Sequence, residues 1–166
     1  MEVIYPGSFD PITFGHVDVI RRLARQFSRV HVAVMSNPGK HTWFSLPERQ
    51  DMIRRSLKGV KNVRVDAYEG LLVDYARRLK VSIVVRGLRA VSDFDAEFKM
   101  SLANKDLAPG VETIFMLTDK RYSFLSSSLV KEIALYGGSL ASFVPPAVDR
   151  AIRDKVREQK HRRLDG

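Results

Sequence analysis

Segments rich in Val, Ile and Tyr alternate with segments of helical period along the whole chain, and this alternation limits the fold more than any other feature. It is the pattern of a parallel sheet covered by helices on both faces. The candidate strands are Glu2 to Pro6, Arg29 to Ser36, Asn62 to Tyr68, Val81 to Val85 and Glu112 to Leu117. A first helix is predicted from about Gly15 to Phe27, with Val17, Ile20, Ala24 and Phe27 on one side and Arg21, Arg22 and Arg25 largely on the other. Ser45 followed by Glu48 has the form of a capping box, and Met52, Ile53 and Leu57 supply an apolar face beyond it. Leu71 to Lys80, Asp93 to Leu107 and Ser127 to Tyr136 complete the helical set, the last stopping at Gly137-Gly138, where a left-handed cap forms easily. Pro145-Pro146 breaks the chain before a terminal helix at about 146–163. The expected architecture is α/β: one domain over 1–166, a doubly wound, Rossmann-like sheet of five parallel strands with helices on both faces and a C-terminal helix.

A chain of 166 residues is long enough for one full core and too short for two comfortable ones. It has no cysteine, which removes disulfide frameworks, thiolate metal sites and cysteine nucleophiles together and fits a reducing cytoplasm. Met1 to Tyr5 already reads as strand rather than as a basic region leading into an apolar one, and no run of about 18 apolar residues occurs. A soluble, cytoplasmic protein with no membrane partner is expected. The formal charge of +9 raises the question of nucleic acid. Between Arg150 and Arg163 seven Lys or Arg face only Asp154 and Glu158, a net of +5 in 14 residues. Val148, Ile152 and Val156 recur there at every fourth position, which describes a helix with one buried stripe and a solvated basic face. No aromatic residue is interleaved for base stacking, so no nucleic-acid partner is expected.

In open α/β sheets, ligands bind beyond the carboxyl ends of the strands, near the point where the strand order reverses. The unusual residues of this chain fall in those loops. After the first strand comes Gly7-Ser8-Phe9-Asp10-Pro11-Ile12-Thr13-Phe14-Gly15-His16, running into the first helix. It is neither a Walker loop nor a dinucleotide fingerprint. Gly15 is expected to let a phosphate approach the helix N-terminus, where free N–H groups and the helix dipole favour anions, with His16 projecting a donor beside them. The end of the fourth strand reads Val84-Val85-Arg86-Gly87-Leu88-Arg89-Ala90-Val91-Ser92-Asp93-Phe94-Asp95-Ala96-Glu97, and after the fifth comes Tyr122-Ser123-Phe124-Leu125-Ser126-Ser127-Ser128-Leu129-Val130-Lys131-Glu132. Arginine's fork suits phosphate. A helix cap needs one hydroxyl where this last stretch supplies three, and the surplus points to phosphate. Taken alone, Lys40 and His41 read as a polar loop, and His31 and His161 as structural or solvent-facing residues. No pair of His residues has metal-ligand spacing, which argues against a dedicated transition-metal site.

Gly-Ser-Phe-Asp-Pro followed by Thr-x-Gly-His resembles the signature of the nucleotidyltransferase superfamily, and the second and third stretches resemble those of bacterial phosphopantetheine adenylyltransferases. The three motifs, in order, cover nearly the whole chain. The resemblance implies transfer of AMP from ATP to 4′-phosphopantetheine, giving dephospho-coenzyme A and pyrophosphate in coenzyme A biosynthesis, with Mg²⁺ as activating ion. It implies an acceptor site of Ser8, Lys40, Leu72 and Arg86. It places Ser8, Phe9, His16, Gly87, Leu88, Arg89, Glu97, Tyr122, Ser123, Phe124, Leu125, Ser126, Ser127 and Ser128 around ATP. Its catalytic residues would be His16, as transition-state stabiliser, Lys40 and Arg89. Many family members have Thr at the position of Ser8, and the hydroxyl survives the difference. No protein ligand for Mg²⁺ is assigned. The family also implies a homohexamer inhibited by coenzyme A. Two alternatives stay open: a sibling enzyme using nicotinamide mononucleotide, glycerol phosphate or another phosphorylated acceptor, and a nonenzymatic module binding nucleic acid through its basic terminus.

Overall fold

The computed structural model describes residues 1–36, 39 and 41–164. In chain order the elements are β1 (Glu2–Gly7), α1 (Phe14–Gln26), β2 (Arg29–Met35), α2 (Leu46–Ser56), β3 (Val63–Tyr68), α3 (Leu72–Leu79), β4 (Ile83–Leu88), α4 (Val91–Leu107), β5 (Glu112–Leu117), α5 (Ser127–Leu135) and α6 (Pro146–Leu164), with one 3₁₀ turn at Lys120–Tyr122. The five strands form one parallel sheet in the order β3-β2-β1-β4-β5. The order reverses between β1 and β4, so the crevice at their carboxyl ends is where this class of sheet places its ligand.

Side-chain alternation on the strands divides the core in two. Val3, Tyr5, Val30, Val32, Val34 and Val85 face one way and pack with Val19, Ile20 and Leu23 of α1, Ile53 of α2 and Ile152 of α6. Ile4, Ala33 and Val84 face the other way, against Val73, Tyr75 and Ala76 of α3. Burial on both faces explains why β1 and β2 read as nearly unbroken apolar runs. On α6, Val148, Ile152 and Val156 are buried as their spacing requires, while Lys155 reaches Glu48 of α2 at 3.0 Å and lies 5.5 Å from the Phe44 ring centroid. Among the described residues, no helix is long and apolar enough to cross a membrane.

The punctuation follows the chemistry of single residues. The Ser45 N–H donates to Glu48 Oε2 at 2.7 Å and the Glu48 N–H to Ser45 Oγ at 3.4 Å, which completes the box at the start of α2. At the end of α5, Gly137 takes φ +77°, and the Gly138 N–H returns to the Ile133 carbonyl at 2.9 Å.

The fourth strand departs from expectation. It runs from Ile83 to Leu88 rather than from Val81 to Val85, pairing Arg86, Gly87 and Leu88 with Phe115, Met116 and Leu117. Gly87, expected just beyond the strand, is here a strand residue. A Cβ on Gly87 would lie 3.1 Å from the Tyr5 hydroxyl of β1, so a missing side chain makes room for a neighbouring strand. Val81 instead closes the end of α3, its N–H bonded to the Ala76 carbonyl at 3.1 Å. As a result Arg86 is held by a strand, not by a loop.

Candidate active site

The loop between β1 and α1 is organised by what each residue of Gly7 to Thr13 is free to do. Phe9 adopts φ +47°, an uncommon conformation for a bulky residue, and its buried ring folds back over Gly7. A Cβ on Gly7 would come within 2.9 Å of that ring, so only glycine fits beneath it. The ring meets Tyr5 and His16 edge-on at centroid distances of 5.7 and 5.2 Å. Asp10 is buried, and its carboxylate accepts the backbone N–H groups of Trp43 and Phe44 at 3.0 Å together with the Lys131 ammonium at 2.9 Å. One side chain thus ties the β1 loop to the segment before α2 and to α5. Beneath it, buried Arg49 of α2 donates to the Ser8 carbonyl at 2.8 Å and to the Met35 carbonyl at 3.3 Å.

His16 stands at the third position of α1, where its Nδ1 accepts the Thr13 backbone N–H at 3.1 Å and lies 3.0 Å from Thr13 Oγ1. An acceptor at Nδ1 places the ring proton on Nε2 in the neutral tautomer. Burial, with the positive charge of Arg89 added, lowers the pKa of His16 from 6.5 to about 4. The residue is therefore a neutral donor near neutral pH. Histidine-labelled NMR should find its ring titrating near pH 4 rather than near 6.5. Because protonation then favours the unfolded chain, the stability it contributes is fully present above about pH 6.5 and is lost as pH falls towards 4. A Cβ on Gly15 would make ordinary van der Waals contact with Tyr122 Cβ at 3.4 Å and Thr118 Cγ2 at 3.6 Å, on the side where α1 meets the chain leaving β5.

Arg86 forms a two-pronged ion pair with Glu97 of α4, one prong at 2.6 Å. Arg89 does the same with Asp93 at 2.9 Å on both prongs, and its third nitrogen donates to the Leu125 carbonyl at 3.0 Å. The Arg89 guanidinium, through hydrogen bonds and charge, holds Asp93 below the usual carboxylate range against the opposing effect of burial. The three serines divide their work. Ser126 Oγ caps α5 by accepting the Leu129 N–H at 3.0 Å, Ser127 Oγ donates to the Pro11 carbonyl at 2.8 Å, and Ser128 faces open space.

These pieces surround one cleft of about 700 Å³. Of the residues expected there, Ser8, Phe9, His16, Arg86, Gly87, Arg89, Glu97, Ser126, Ser127 and Ser128 line it. Leu88 and Leu125 are buried beside it, Leu125 contributing the carbonyl that holds Arg89. Tyr122 stacks on Phe14 at 6.3 Å, Phe124 meets Phe143 edge-on, and Leu72 packs against the core beneath α3; Ser123 hydrogen-bonds the Lys120 carbonyl at 2.9 Å. None of these six lines the cleft. Lys40 lies outside the described residues. Asp10, Thr42, Asp93 and Lys131, to which the sequence motifs assign no role, also line the cleft. For Lys131 a signal existed: it follows Ser127 by four residues and so shares its helix face.

Residues 4–133 match the model of the cytidylyltransferase-like family. The chain is 56% identical over 152 residues to the phosphopantetheine adenylyltransferase of Desulforudis audaxviator, covering 92% of this chain and 93% of that one. It is 51% identical over 156 residues to that of Carboxydothermus hydrogenoformans, covering 94% and 96%. Among solved structures, a putative nicotinate-nucleotide adenylyltransferase from Vibrio parahaemolyticus superposes with a TM-score of 0.68 at 17% identity over 95% of each chain, a likeness of fold. By its sequence this chain belongs to the cytidylyltransferase-like family and, within it, to the phosphopantetheine adenylyltransferases.

Proposed function

We propose that the cleft transfers the adenylyl group of ATP to 4′-phosphopantetheine, forming dephospho-coenzyme A and pyrophosphate. The observation that carries this reading is the gathering of His16, Arg86, Arg89 and the serine-capped start of α5 around one cleft, in a chain half identical to the named adenylyltransferases over nearly its whole length. The chemistry asks little of a base. A phosphate monoester is close to doubly ionised near neutral pH, its second pKa being about 6, so the acceptor oxygen is already a nucleophile. What remains is alignment with the α-phosphorus and neutralisation of charge on the equatorial and leaving oxygens. Neutral His16, with its proton on Nε2, donates to an oxygen of the reacting phosphate. Its lowered pKa rules it out as the resting cation and suits it to a fixed hydrogen bond at the positive end of α1. Arg86 orients the acceptor phosphate. Arg89, Lys131 and the first-turn N–H groups of α5 receive the triphosphate, and Ser8 bridges the two substrates.

The cleft carboxylates Asp10, Asp93 and Glu97 are engaged by Lys131, Arg89 and Arg86 respectively. Among the described residues, no group of three His, Asp or Glu could hold a metal ion. This donor set does not form a resident metal site. Mg²⁺ belongs to the MgATP substrate, held by phosphate oxygens and water.

The reading extends to a cytoplasmic homohexamer inhibited by coenzyme A, which repeats the skeleton of the product. An assembly is supported by apolar side chains left in solvent on α4 and β5, among them Val91, Phe94, Phe98, Leu102 and Leu117, with Val91 89% and Leu117 70% exposed.

Pyrophosphate release from MgATP tests the acceptor when run with 4′-phosphopantetheine, with nicotinamide mononucleotide and with no acceptor. Release with 4′-phosphopantetheine alone is expected. Release only with nicotinamide mononucleotide would overturn the acceptor while keeping the nucleotide site, and no release at all would overturn the reaction.

A further inference from the structure

Away from the cleft, a concavity of about 460 Å³ lies along the open edge of β3. Arg29, Arg54, Lys61 and Arg64 line it, with Asp66 as its only carboxylate. Arg29 is paired with Glu2 at 2.8 Å, and the Asp66 carboxylate accepts the Tyr75 hydroxyl at 2.9 Å. Arg54 is turned towards the edge, its guanidinium donating to the Val65 carbonyl at 3.1 Å, while Lys61 and Arg64 are exposed. The backbone adds donors. The Asn62 carbonyl accepts the Val30 N–H of β2 at 2.9 Å and the Tyr68 carbonyl the Ser36 N–H at 3.3 Å. Alternation in a parallel ladder therefore turns the N–H and C=O groups of Val63 and Val65 away from β2, into the same concave edge, where Arg54 and Gln50 cover the Val65 carbonyl and leave the two N–H groups as donors.

We propose that this edge is a second anion site, taking a small ligand that carries phosphate. Three cations not spent on Glu2, against one carboxylate already hydrogen-bonded, leave about two positive charges, which a doubly ionised phosphate matches. A guanidinium fork beside two outward N–H groups is the donor geometry that phosphate oxygens accept. Charges on an edge strand also keep a second strand from pairing there. That role requires repulsion alone and gives no saturable binding. The assignment stands apart from the adenylyl-transfer reading, since none of its residues lines the active cleft.

The test is titration of the full-length, valine-methyl-labelled protein with inorganic tripolyphosphate, with parallel arms of ATP and adenosine. Saturable shifts at Val63 and Val65 are expected with tripolyphosphate and ATP at similar concentrations, and none with adenosine. Binding should weaken at least tenfold in a Lys61→Ala/Arg64→Ala variant whose adenylyl transfer is unchanged. An absent or non-saturating response at the edge, or equal binding by the variant, would overturn the proposal and leave the charges as guards of the strand. Shifts with ATP but not with tripolyphosphate would overturn it too, because recognition would then rest on the nucleoside.

Discussion

His16→Ala lowers kcat by about 10²- to 10³-fold, the usual loss when one fixed donor to a developing charge is removed, and it changes stability less. The structural cost is the partner of the buried Thr13 N–H and hydroxyl at the start of α1, about 1–3 kcal/mol and small beside the loss in rate. His16→Gln separates the two roles. A Gln at the third helical position can accept the Thr13 N–H through its side-chain oxygen and so restore the capping box. It cannot present a ring N–H at the position of Nε2. Both variants should therefore be slow while only alanine is measurably less stable, as steady-state kinetics and thermal unfolding would report. An alanine variant retaining more than about a tenth of wild-type kcat would fall well outside the loss expected for such a donor and would remove His16 from the reaction.

The second large effect is on folding. Asp10→Ala withdraws the acceptor of two backbone N–H groups and the counter-ion of Lys131, in a pair whose side chains are only 7% and 19% exposed. Removing one partner of a buried pair costs about 3–5 kcal/mol, chiefly because the other charge is stranded. For a chain of this length that corresponds to a fall in Tm on the order of 10 °C at fixed protein concentration. Asp10→Ala/Lys131→Met should recover much of the loss, because the stranded ammonium is gone. If the double variant unfolds at or below the temperature of the single one, the cost lies in the freed backbone N–H groups of Trp43 and Phe44 rather than in the charge. Activity should fall in both, since the pair fixes the β1 loop relative to α5.

The fold was legible because its signals are local. Doubly buried strands make β1 and β2 apolar on successive residues, Ser45 and Glu48 mark a helix start within four positions, and Gly137 marks a helix end. The β4 boundary was not legible because the reason for Gly87 lies on β1, at the Tyr5 hydroxyl, some eighty residues away in the chain. The site divides in the same way. His16, Arg86, Arg89 and the serines sit in motifs that resemblance can carry, and the structure brings them to one cleft. Asp10 lies inside the first motif, yet its work consists of bonds to Trp43, Phe44 and Lys131, which no local pattern announces.

In direct transfer the cleft aligns the acceptor phosphate on the α-phosphorus of ATP and no side chain joins covalently. The decisive measurement is turnover of 4′-phosphopantetheine with ATP made chiral at a sulfur-substituted α-phosphorus. A single in-line displacement gives a phosphorothioate analogue of dephospho-coenzyme A with inverted configuration, which is the expected result. Retained configuration would mean two displacements through an adenylylated protein and would overturn direct transfer.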